Sequence, residues 1–277
     1  MSLTPLERTF CHLHAYGVAT ERSLWQKGFT SWYDVIGTPE PRVAAASFRR
    51  LRSECEESAR RFFERDWKFF SRKLPPSEQW RLFASVTGPT AYLDIETTGV
   101  SFETDSVTII GLYDGETAHV FMNYFRDLRE RPPVRSIGKK ILIQAGEKFP
   151  AKMAEMARIV SFNGKSFDIP ILRNTFHDVD FDLPHLDLRI ALRTLGLRGG
   201  LKKIEEQLGI SRPSRVKGLH GRDAVELWLR YRNSNDLVAL ATLIEYNVQD
   251  IVNLENLTRI YIEKRLESFP GDTTSSL

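Results

Sequence analysis

The sequence contains only two cysteines, Cys11 and Cys55, which form neither a closely spaced pair nor a CxxC motif. Neither a disulfide framework nor a thiolate metal site is therefore indicated, and a reducing, cytoplasmic setting is expected. Long hydrophobic runs are missing as well. No stretch of about 18 apolar residues could span a membrane, and the N-terminal residues lack the apolar core of a secretory signal.

A strong net charge is also missing, since the formal value of +3 is too small to identify a nucleic-acid-binding protein by itself. The charge is unevenly distributed, however. Residues 1–88 contain 14 Lys and Arg against 10 Asp and Glu, and the remainder contains 25 against 26. With 277 residues, 42% of them hydrophobic, the chain is long enough and apolar enough to bury a substantial core.

Residues 1–85 have few β-prone runs and are expected to form a small, all-helical region. Apolar residues recur at helical spacing through "SFRRLRSECEESARRFFERDWKFFSRKL", which predicts one long amphipathic helix with a basic outer face. A solvated surface is the simpler interpretation of its arginines, and contact with phosphates is the alternative.

Near the N-terminus, Gly17-Val18-Ala19 partly matches the small-residue turn of a helix-hairpin-helix, which exposes backbone N–H groups to a phosphate. Thr20 would cap the second helix, with Ser23 in its first turn. An ordinary helical hairpin is the alternative interpretation.

The segments "KLPPSEQW" and "TGPT" place a domain boundary between residues 85 and 89. After it the β-prone runs "TAYLDI", "SVTIIGLYD" and "TAHVFMNYF" predict three strands, with "YDGET" turning the second into the third. A helix is predicted from about Lys139 to Met156, followed by a strand in "ARIVSFN". These elements predict an α/β fold with a mixed sheet flanked by helices.

Beyond Phe167 the sequence predicts mainly helices, with one short strand possible between Leu183 and Leu188. The last helix is predicted to begin at a cap, Asn235, and to run to about Leu266. We expect one domain over residues 89–266 and a flexible tail over residues 267–277.

Two acids, Asp94 and Glu96, end the first predicted strand. Alternate residues of a strand point to the same face, so the two carboxylates would lie side by side and repel each other unless a cation intervenes. Mg²⁺ or Mn²⁺ would be a suitable cation because both prefer oxygen ligands. Solvated acids at a strand end are the alternative.

Two further elements carry acids. Asp168 follows the later strand and the tight turn Asn163-Gly164, where it is either a functional acid or a residue of the first helical turn. Tyr246 and Asp250 lie four residues apart, hence on one face of the last helix. A core tyrosine beside a helical acid is the alternative there.

Together, "DIETTG", "FNGKSFDIP" and "YNVQD" resemble, in that order, the three motifs of the DEDD superfamily of 3′→5′ exonucleases, in the subclass with tyrosine in the third motif. The stretches "SFNGKSFDIPIL", "HLDLRIALR" and "GLKKIEEQLGISR" are most similar to the YprB-like ribonuclease-H-fold proteins, which often carry histidine where this chain has Tyr246. The resemblance covers about residues 89–265 and implies a ribonuclease H-like sheet of three antiparallel strands followed by parallel strands.

The resemblance also implies roles for individual residues. Asp94, Glu96, Asp168 and Asp250 would hold two divalent ions about 4 Å apart, and Asp168 would act through water. Tyr246 would orient the attacking water rather than act as a base. The terminal nucleotide would be contacted by four residues: Thr97, Thr98, Asn163 and Phe167.

Other candidates are weaker. His185 and Asp187 are expected to have a structural role in the sheet, and His220 would assist a histidine-type mechanism only if Tyr246 is inert.

The sequence therefore predicts a metal-dependent 3′→5′ exonuclease that acts on DNA or RNA, with a single-stranded 3′ end as its partner. Two alternatives remain open, namely a non-catalytic nucleic-acid-binding or repair accessory protein and a nuclease specific for branched structures.

Overall fold

The computed structural model describes residues 3–41, 44–99, 106–122, 132–135, 138–267 and 269. The chain divides into two compact units. The first, which we call the helical unit, comprises Met1–Thr87, Asp182–His185 and Tyr261–Leu277. The second, which we call the sheet unit, comprises Gly88–Phe181 and Leu186–Ile260. Most of the predicted flexible tail, residues 268 and 270–277, lies outside the described residues.

The N-terminal part of the helical unit is built of helices. Their bounds are α1 Val18–Gln26, α2 Trp32–Gly37, α3 Ala45–Phe63, α4 Trp67–Lys73 and α5 Gln79–Ser85.

The prediction of one long amphipathic helix is wrong, because α3 ends at Phe63 and α4 begins at Trp67. Arg65 between them adopts a left-handed conformation with φ of 56°. The Asp66 side chain then accepts a hydrogen bond from the Phe69 backbone N–H at 3.1 Å and caps α4. This local hydrogen bond competes with continuation of the helix, which the apolar spacing alone did not reveal.

The helix α1 begins directly after Gly17, so Thr20 lies inside the first turn and does not cap it. Residues 5–8 and 11–15, which precede it, form turns. A role of this segment in nucleic-acid binding stays a prediction.

The core of the helical unit contains a buried network of charges. Glu21, which is 0% exposed, contacts the Arg81 guanidinium through both carboxylate oxygens at 2.7 Å. The second acid, Glu78, lies 2.8 Å from Arg81 and 3.0 Å from Arg265. Two acids and two arginines therefore compensate one another. In the same unit, the buried Trp32 ring is stacked on the Phe70 ring, with the ring centroids 5.7 Å apart.

The sheet unit is organised around a six-stranded sheet with the strand order β4-β3-β2-β1-β5-β6. The strands are β1 Thr90–Thr97, β2 Val107–Tyr113, β3 Thr117–Met122, β4 Lys140–Ala145, β5 Arg158–Ser161 and β6 His185–Asp187. β1, β2 and β3 are antiparallel neighbours, β4 is parallel to β3, and β5 is parallel to β1. The helices are α6 Phe149–Met153, α7 Asp168–Thr175, α8 Leu188–Arg193, α9 Leu201–Gln207, α10 Gly221–Ser234 and α11 Leu237–Glu267. The predicted mixed sheet, flanked by helices and preceded by a helical region, is confirmed.

The turn between β2 and β3 forms as predicted. Asp114 accepts hydrogen bonds from the backbone N–H groups of Glu116 and Thr117 at 3.1 and 2.8 Å. Gly115 between them has a φ of 100°, a conformation that favours glycine.

Two other predictions need correction. The helix predicted from Lys139 to Met156 is wrong for its first half, which forms β4 and a 3₁₀ turn before α6. Ile141 and Ile143 are β-branched and favour a strand, and the alternation of exposed and half-buried residues fits the edge position of β4. α11 is capped by the Asp236 side chain, which accepts from the backbone N–H groups of residues 238 and 239, and not by Asn235. The third strand was predicted to extend to Phe125, but residues 123–125 lie outside the described residues.

The main core of the sheet unit lies where β2 and β3 pack against α10 and α11. Among its buried side chains are Ile109, Tyr113, Val120, Trp228, Leu243 and Ile244. This packing fixes α11 against the centre of the sheet. It thereby also fixes the positions of the polar residues of α11 relative to β1. Within the described residues, no helix combines the length and the apolar character that a membrane span requires.

Removal of one partner from the buried network should destabilise the protein. We expect Arg81→Met to lower the free energy of unfolding by about 3–5 kcal/mol, because Glu21 is left buried without its counter-charge. Urea unfolding followed by circular dichroism measures the change. The control is Arg60→Met, which breaks ion pairs with Glu57 and Glu64 on the surface and should leave the unfolding curve nearly unchanged. Equal effects of the two variants would contradict the prediction.

Candidate active site

A cleft of about 950 Å³ lies in the sheet unit at the end of β1. It is lined by residues from β1, from the turn before α7, from the start of α10 and from α11. Eight of the predicted site residues line it: Asp94, Glu96, Thr97, Asn163, Phe167, Asp168, Tyr246 and Asp250. Thr98 does not, and instead its backbone N–H and its hydroxyl form hydrogen bonds with the Ser106 backbone, both at 3.0 Å.

β1 delivers two acids to the cleft. Asp94 and Glu96 are two residues apart and lie on the same face of the strand. The register with β2 shifts between Glu96 and Thr97, where Thr108 of β2 has no register partner on β1. One carboxylate oxygen from each of Asp94, Glu96 and Asp250 lies within 4.8 Å of the others. The two acids of β1 and the acid of the last helix therefore lie close together in the structure.

Asp168 reaches the same cleft but lies outside that group of three. Its Oδ1 accepts a hydrogen bond from the backbone N–H of Ile95, the residue between the two strand acids, at 3.0 Å. The preceding turn is tight, with Asn163 at a φ of 69°. A Cβ on Gly164 would lie 2.3 Å from the Ser161 hydroxyl, so only glycine fits this turn.

Asp187 organises that turn. Its carboxylate accepts hydrogen bonds from three backbone N–H groups, those of Asn163 at 2.9 Å, Arg189 at 3.0 Å and Lys165 at 3.2 Å. The side chain is 4% exposed, and these three hydrogen bonds all come from the backbone. Asp187 thus has the structural role that was predicted for it.

Asp250 is held by a side chain that the sequence analysis missed. Arg212, which is 5% exposed, places Nη2 at 2.5 Å from Asp250 and contacts Glu205 with Nε and Nη2 at 2.5 and 2.7 Å. Asn253 of α11 donates a further hydrogen bond to Glu205 at 2.9 Å. The sequence contains no spacing that links Arg212 to Asp250, because the arginine comes from the loop after α9.

Tyr246 is likewise held by a basic residue. The Lys202 ammonium group donates a hydrogen bond to the Tyr246 hydroxyl at 3.0 Å and lies 4.3 Å from the centre of its ring. Lys202 stands at the beginning of α9, 44 positions earlier in the chain. This contact also could not be anticipated from a motif.

Asn247, next to Tyr246, donates a hydrogen bond to Asp94 Oδ2 at 3.0 Å and is 0% exposed. It fits there because the neighbouring residue of β2 is Gly111, whose register partner on β1 is Asp94. A Cβ at position 111 would lie 2.1 Å from Asn247 Oδ1. Gly111 is therefore required by the close approach of α11, although its φ is not unusual.

The acids of the cleft are electrostatically unfavourable in the metal-free protein. Burial, and then the charges of the neighbouring acids, raise the pKa values of Asp94 and Glu96 well above their usual range. Burial raises the pKa of Asp168 to about 7, against its hydrogen bond from Ile95. Burial also raises the pKa of Asp250, and the nearby Arg212 only partly opposes this effect.

The donor set fits divalent cations. Four carboxylates line the cleft, those of Asp94, Glu96, Asp168 and Asp250. A fifth, Glu205, pairs with Arg212 next to Asp250, and Lys202 and Arg212 are the two cations near these acids. Fully ionised, the cluster would have three more negative than positive charges. Glu96 Oε1 is buried without a hydrogen-bond partner among the described residues. Oxygen ligands and excess negative charge are the requirements for binding Mg²⁺ or Mn²⁺.

His220 also lines the cleft, as the residue that precedes α10. It is exposed, and its backbone N–H donates to the Asp223 carboxylate at 2.6 Å. The histidine is thus near the acids, while Tyr246 is buried among them.

Replacement of Gly111 should disturb the site without touching an acid. We expect Gly111→Ala to displace Asn247 from Asp94 and to weaken Mn²⁺ binding by about 10- to 100-fold, as loss of a residue that orients a metal ligand commonly does. Isothermal titration calorimetry with Mn²⁺ measures the affinity. Gly37→Ala is the control, because a Cβ there meets no atom within 4 Å. Unchanged Mn²⁺ affinity in Gly111→Ala would refute the argument.

The pKa of Asp168 predicts a pH dependence of stability. With a pKa raised from 3.8 to about 7, folded metal-free protein binds this proton more tightly than unfolded protein does. The free energy of unfolding should therefore fall as the pH rises from about 4 to 7, by up to about 1.4 kcal/mol per pH unit from this group. In urea titrations with EDTA, the Asp168→Asn variant should not show this part of the decrease in the free energy of unfolding with pH. Asp178→Asn, at an exposed acid, should keep the wild-type slope, and identical slopes in all three proteins would contradict the assignment.

Comparisons with known proteins place the chain in a family. One solved structure, described as "apo form of the nuclease", is 24% identical, with 65% of this chain and 73% of that chain covered at a TM-score of 0.39. No curated protein matches the sequence. A family model described as RNase_H superfamily matches residues 91–262, a span that contains all of the acids that line the cleft. Since this match covers more than half of the sequence, the chain belongs to the RNase_H superfamily.

Proposed function

We propose that the protein is a divalent-metal-dependent 3′→5′ exonuclease of the DEDD type, with tyrosine in the third motif and with the YprB-like proteins as its nearest group. It would hydrolyse phosphodiester bonds of DNA or RNA from a single-stranded 3′ end. Membership of the RNase_H superfamily supports a nuclease. The observation that carries the proposal is the convergence of Asp94, Glu96 and Asp250 within 4.8 Å, with Asp168 bonded to the same strand.

Asp94, Glu96 and Asp250 are the residues that would hold the metal, with Asp168 contributing through water. Two bound Mg²⁺ or Mn²⁺ ions would supply an activated water and would stabilise the charge that develops on the leaving 3′ oxygen. The protein's own task is to keep the carboxylates together against their repulsion. Asn247 does so by its hydrogen bond to Asp94, and Arg212 by its contact with Asp250.

Tyr246 would orient the attacking water. Burial and the surrounding acids raise its pKa above the usual value, so the hydroxyl stays protonated and cannot act as a base at neutral pH. Because the Tyr246 oxygen accepts its hydrogen bond from Lys202, the phenolic proton is free to be donated to a water or a phosphate oxygen. This arrangement supports tyrosine rather than His220 in that role.

The remaining cleft residues would position the terminal nucleotide. Thr97, Gly99, Asn163 and Phe167 line the cleft together with the acids. The Phe167 ring offers a surface for a base or sugar, and Asn163 a polar side chain. Thr98, which was predicted to take part, is left out because it does not line the cleft.

The proposal assigns the nuclease to residues 89–266 and an auxiliary role in nucleic-acid binding to the helical region, residues 1–85, which has the excess of positive charge. The two cysteines are free thiols, which supports the cytoplasm as the compartment.

The central test is cleavage of an oligonucleotide by the full chain. With Mg²⁺ or Mn²⁺, we expect shortening of a 5′-labelled single strand from its 3′ end, with no shortening when EDTA is present. Asp94→Ala should lower the rate by about 10³-fold, since it removes a shared ligand of the metal. Asp178→Ala is the matched control at an exposed acid and should retain the wild-type rate.

The pattern of products discriminates between the alternatives. Cleavage only of forked or branched substrates would replace the exonuclease by a structure-specific nuclease. Binding without cleavage under any divalent ion would favour an accessory protein. Wild-type cleavage that is unaffected by Asp94→Ala would exclude the proposed site.

A further inference from the structure

A second groove of about 490 Å³ lies next to the cleft, in the same unit. It runs along the C-terminal end of α8 and the loop that leads into α9. Phe162 and Asn163 line both cavities, so the groove and the cleft meet at the turn after β5. A ligand that leaves the cleft over Asn163 therefore enters the groove.

Three arginines dominate the second groove, which we call the arginine groove: Arg189, Arg193 and Arg198. All three are exposed. None of them forms an ion pair with an acid among the described residues, in contrast to Arg60, Arg61 and Arg230, each of which is paired with a nearby acid. Exposed guanidinium groups that lack an acidic partner are available to bind an anion.

Arg189 connects the two cavities directly. Its Nη1 donates a hydrogen bond to Asn163 Oδ1 at 2.7 Å, and its backbone N–H donates to Asp187, which holds the turn. The guanidinium group is thus placed at the junction, where the negative cleft changes into the positive groove. A polyanion would be repelled by the acids at one end and attracted by the arginines at the other.

The floor of the arginine groove suits a nucleic-acid strand, in which charged phosphates alternate with sugars and bases. The half-buried Leu197 provides apolar surface, and the Phe162 side chain is half-buried at the junction. Gly200 leaves the backbone accessible, since a Cβ there would meet nothing within 4 Å. Phosphates on guanidinium groups and bases or sugars on apolar side chains are the contacts that single-stranded nucleic acids make.

We propose that the arginine groove binds the phosphodiester backbone of a single-stranded nucleic acid whose 3′ end lies in the cleft. This inference rests on the proposed function for the identity of the bound strand. It assigns the enzyme an extended substrate site, so that strands long enough to reach Arg193 and Arg198 bind better than those that fill only the cleft.

The test uses the full chain and two fluorescent oligonucleotides, dT20 and dT3, in a buffer with Ca²⁺ in place of Mg²⁺. Arg193→Ala combined with Arg198→Ala should weaken dT20 binding by about tenfold at low salt and should abolish most of its advantage over dT3. The slope of log Kd against log salt should fall by about 1.4, because each phosphate contact of a single strand contributes about 0.7.

The control removes two positive charges elsewhere. Lys140→Ala combined with Arg232→Ala changes exposed residues of the sheet unit that line neither cavity. This control variant should keep the wild-type slope of log Kd against log salt. Since all four side chains are exposed, both variants should melt at the wild-type temperature. An unchanged slope in the groove variant, or an equal decrease in the control, would overturn the inference.

A second measurement separates this inference from the proposed function. Wild-type protein with Mn²⁺ should hydrolyse bis(p-nitrophenyl) phosphate, which is too small to reach the arginine groove. Absence of that hydrolysis, with the groove effect on dT20 intact, would overturn the nuclease and support the groove. Hydrolysis together with an unaltered dT20 slope in the groove variant would support the nuclease and overturn the groove.

Discussion

Repulsion among carboxylates that are withdrawn from water is the constraint on which the sheet unit depends. The acids that line the cleft come from β1, α7 and α11. β1 is fixed by its pairing with β2 and β5, α11 by the apolar core, and α7 by its buried Ile169 and Leu172. Lys202, Arg212 and the amide of Asn247 offset part of the repulsion. The apolar core thus supplies the stability that allows the acids to be close together, and the remaining charge creates the affinity for cations.

The two units use buried charge in opposite ways. In the helical unit, Glu21 and Glu78 face Arg81 and Arg265, so the charges of the network balance. In the sheet unit, five acids are accompanied by two basic side chains, so negative charge remains uncompensated. This difference, more than burial or pKa alone, distinguishes a structural ion network from a functional one.

The sequence predicted those site residues that belong to a regular spacing. Asp94 and Glu96 follow the period of a strand, and Tyr246 and Asp250 that of a helix, so their common orientation could be inferred. Arg212, Lys202 and Gly111 were missed, because each acts through a contact between distant segments that no local spacing encodes. The fold was predictable for the same reason, except at the break between α3 and α4, where Asp66 caps a new helix, and at β4, an edge strand where a helix was predicted.

The pair formed by Gly111 and Asn247 also has a consequence for the history of the sequence. A glycine on a central strand, whose only function is to leave room for an amide on a helix, cannot be replaced unless the amide becomes smaller at the same time. The two positions should consequently change together among related proteins. Relatives with a larger residue at the first position would have to hold the strand acid by another route, and such sequences would mark lineages in which the site has been rebuilt or abandoned.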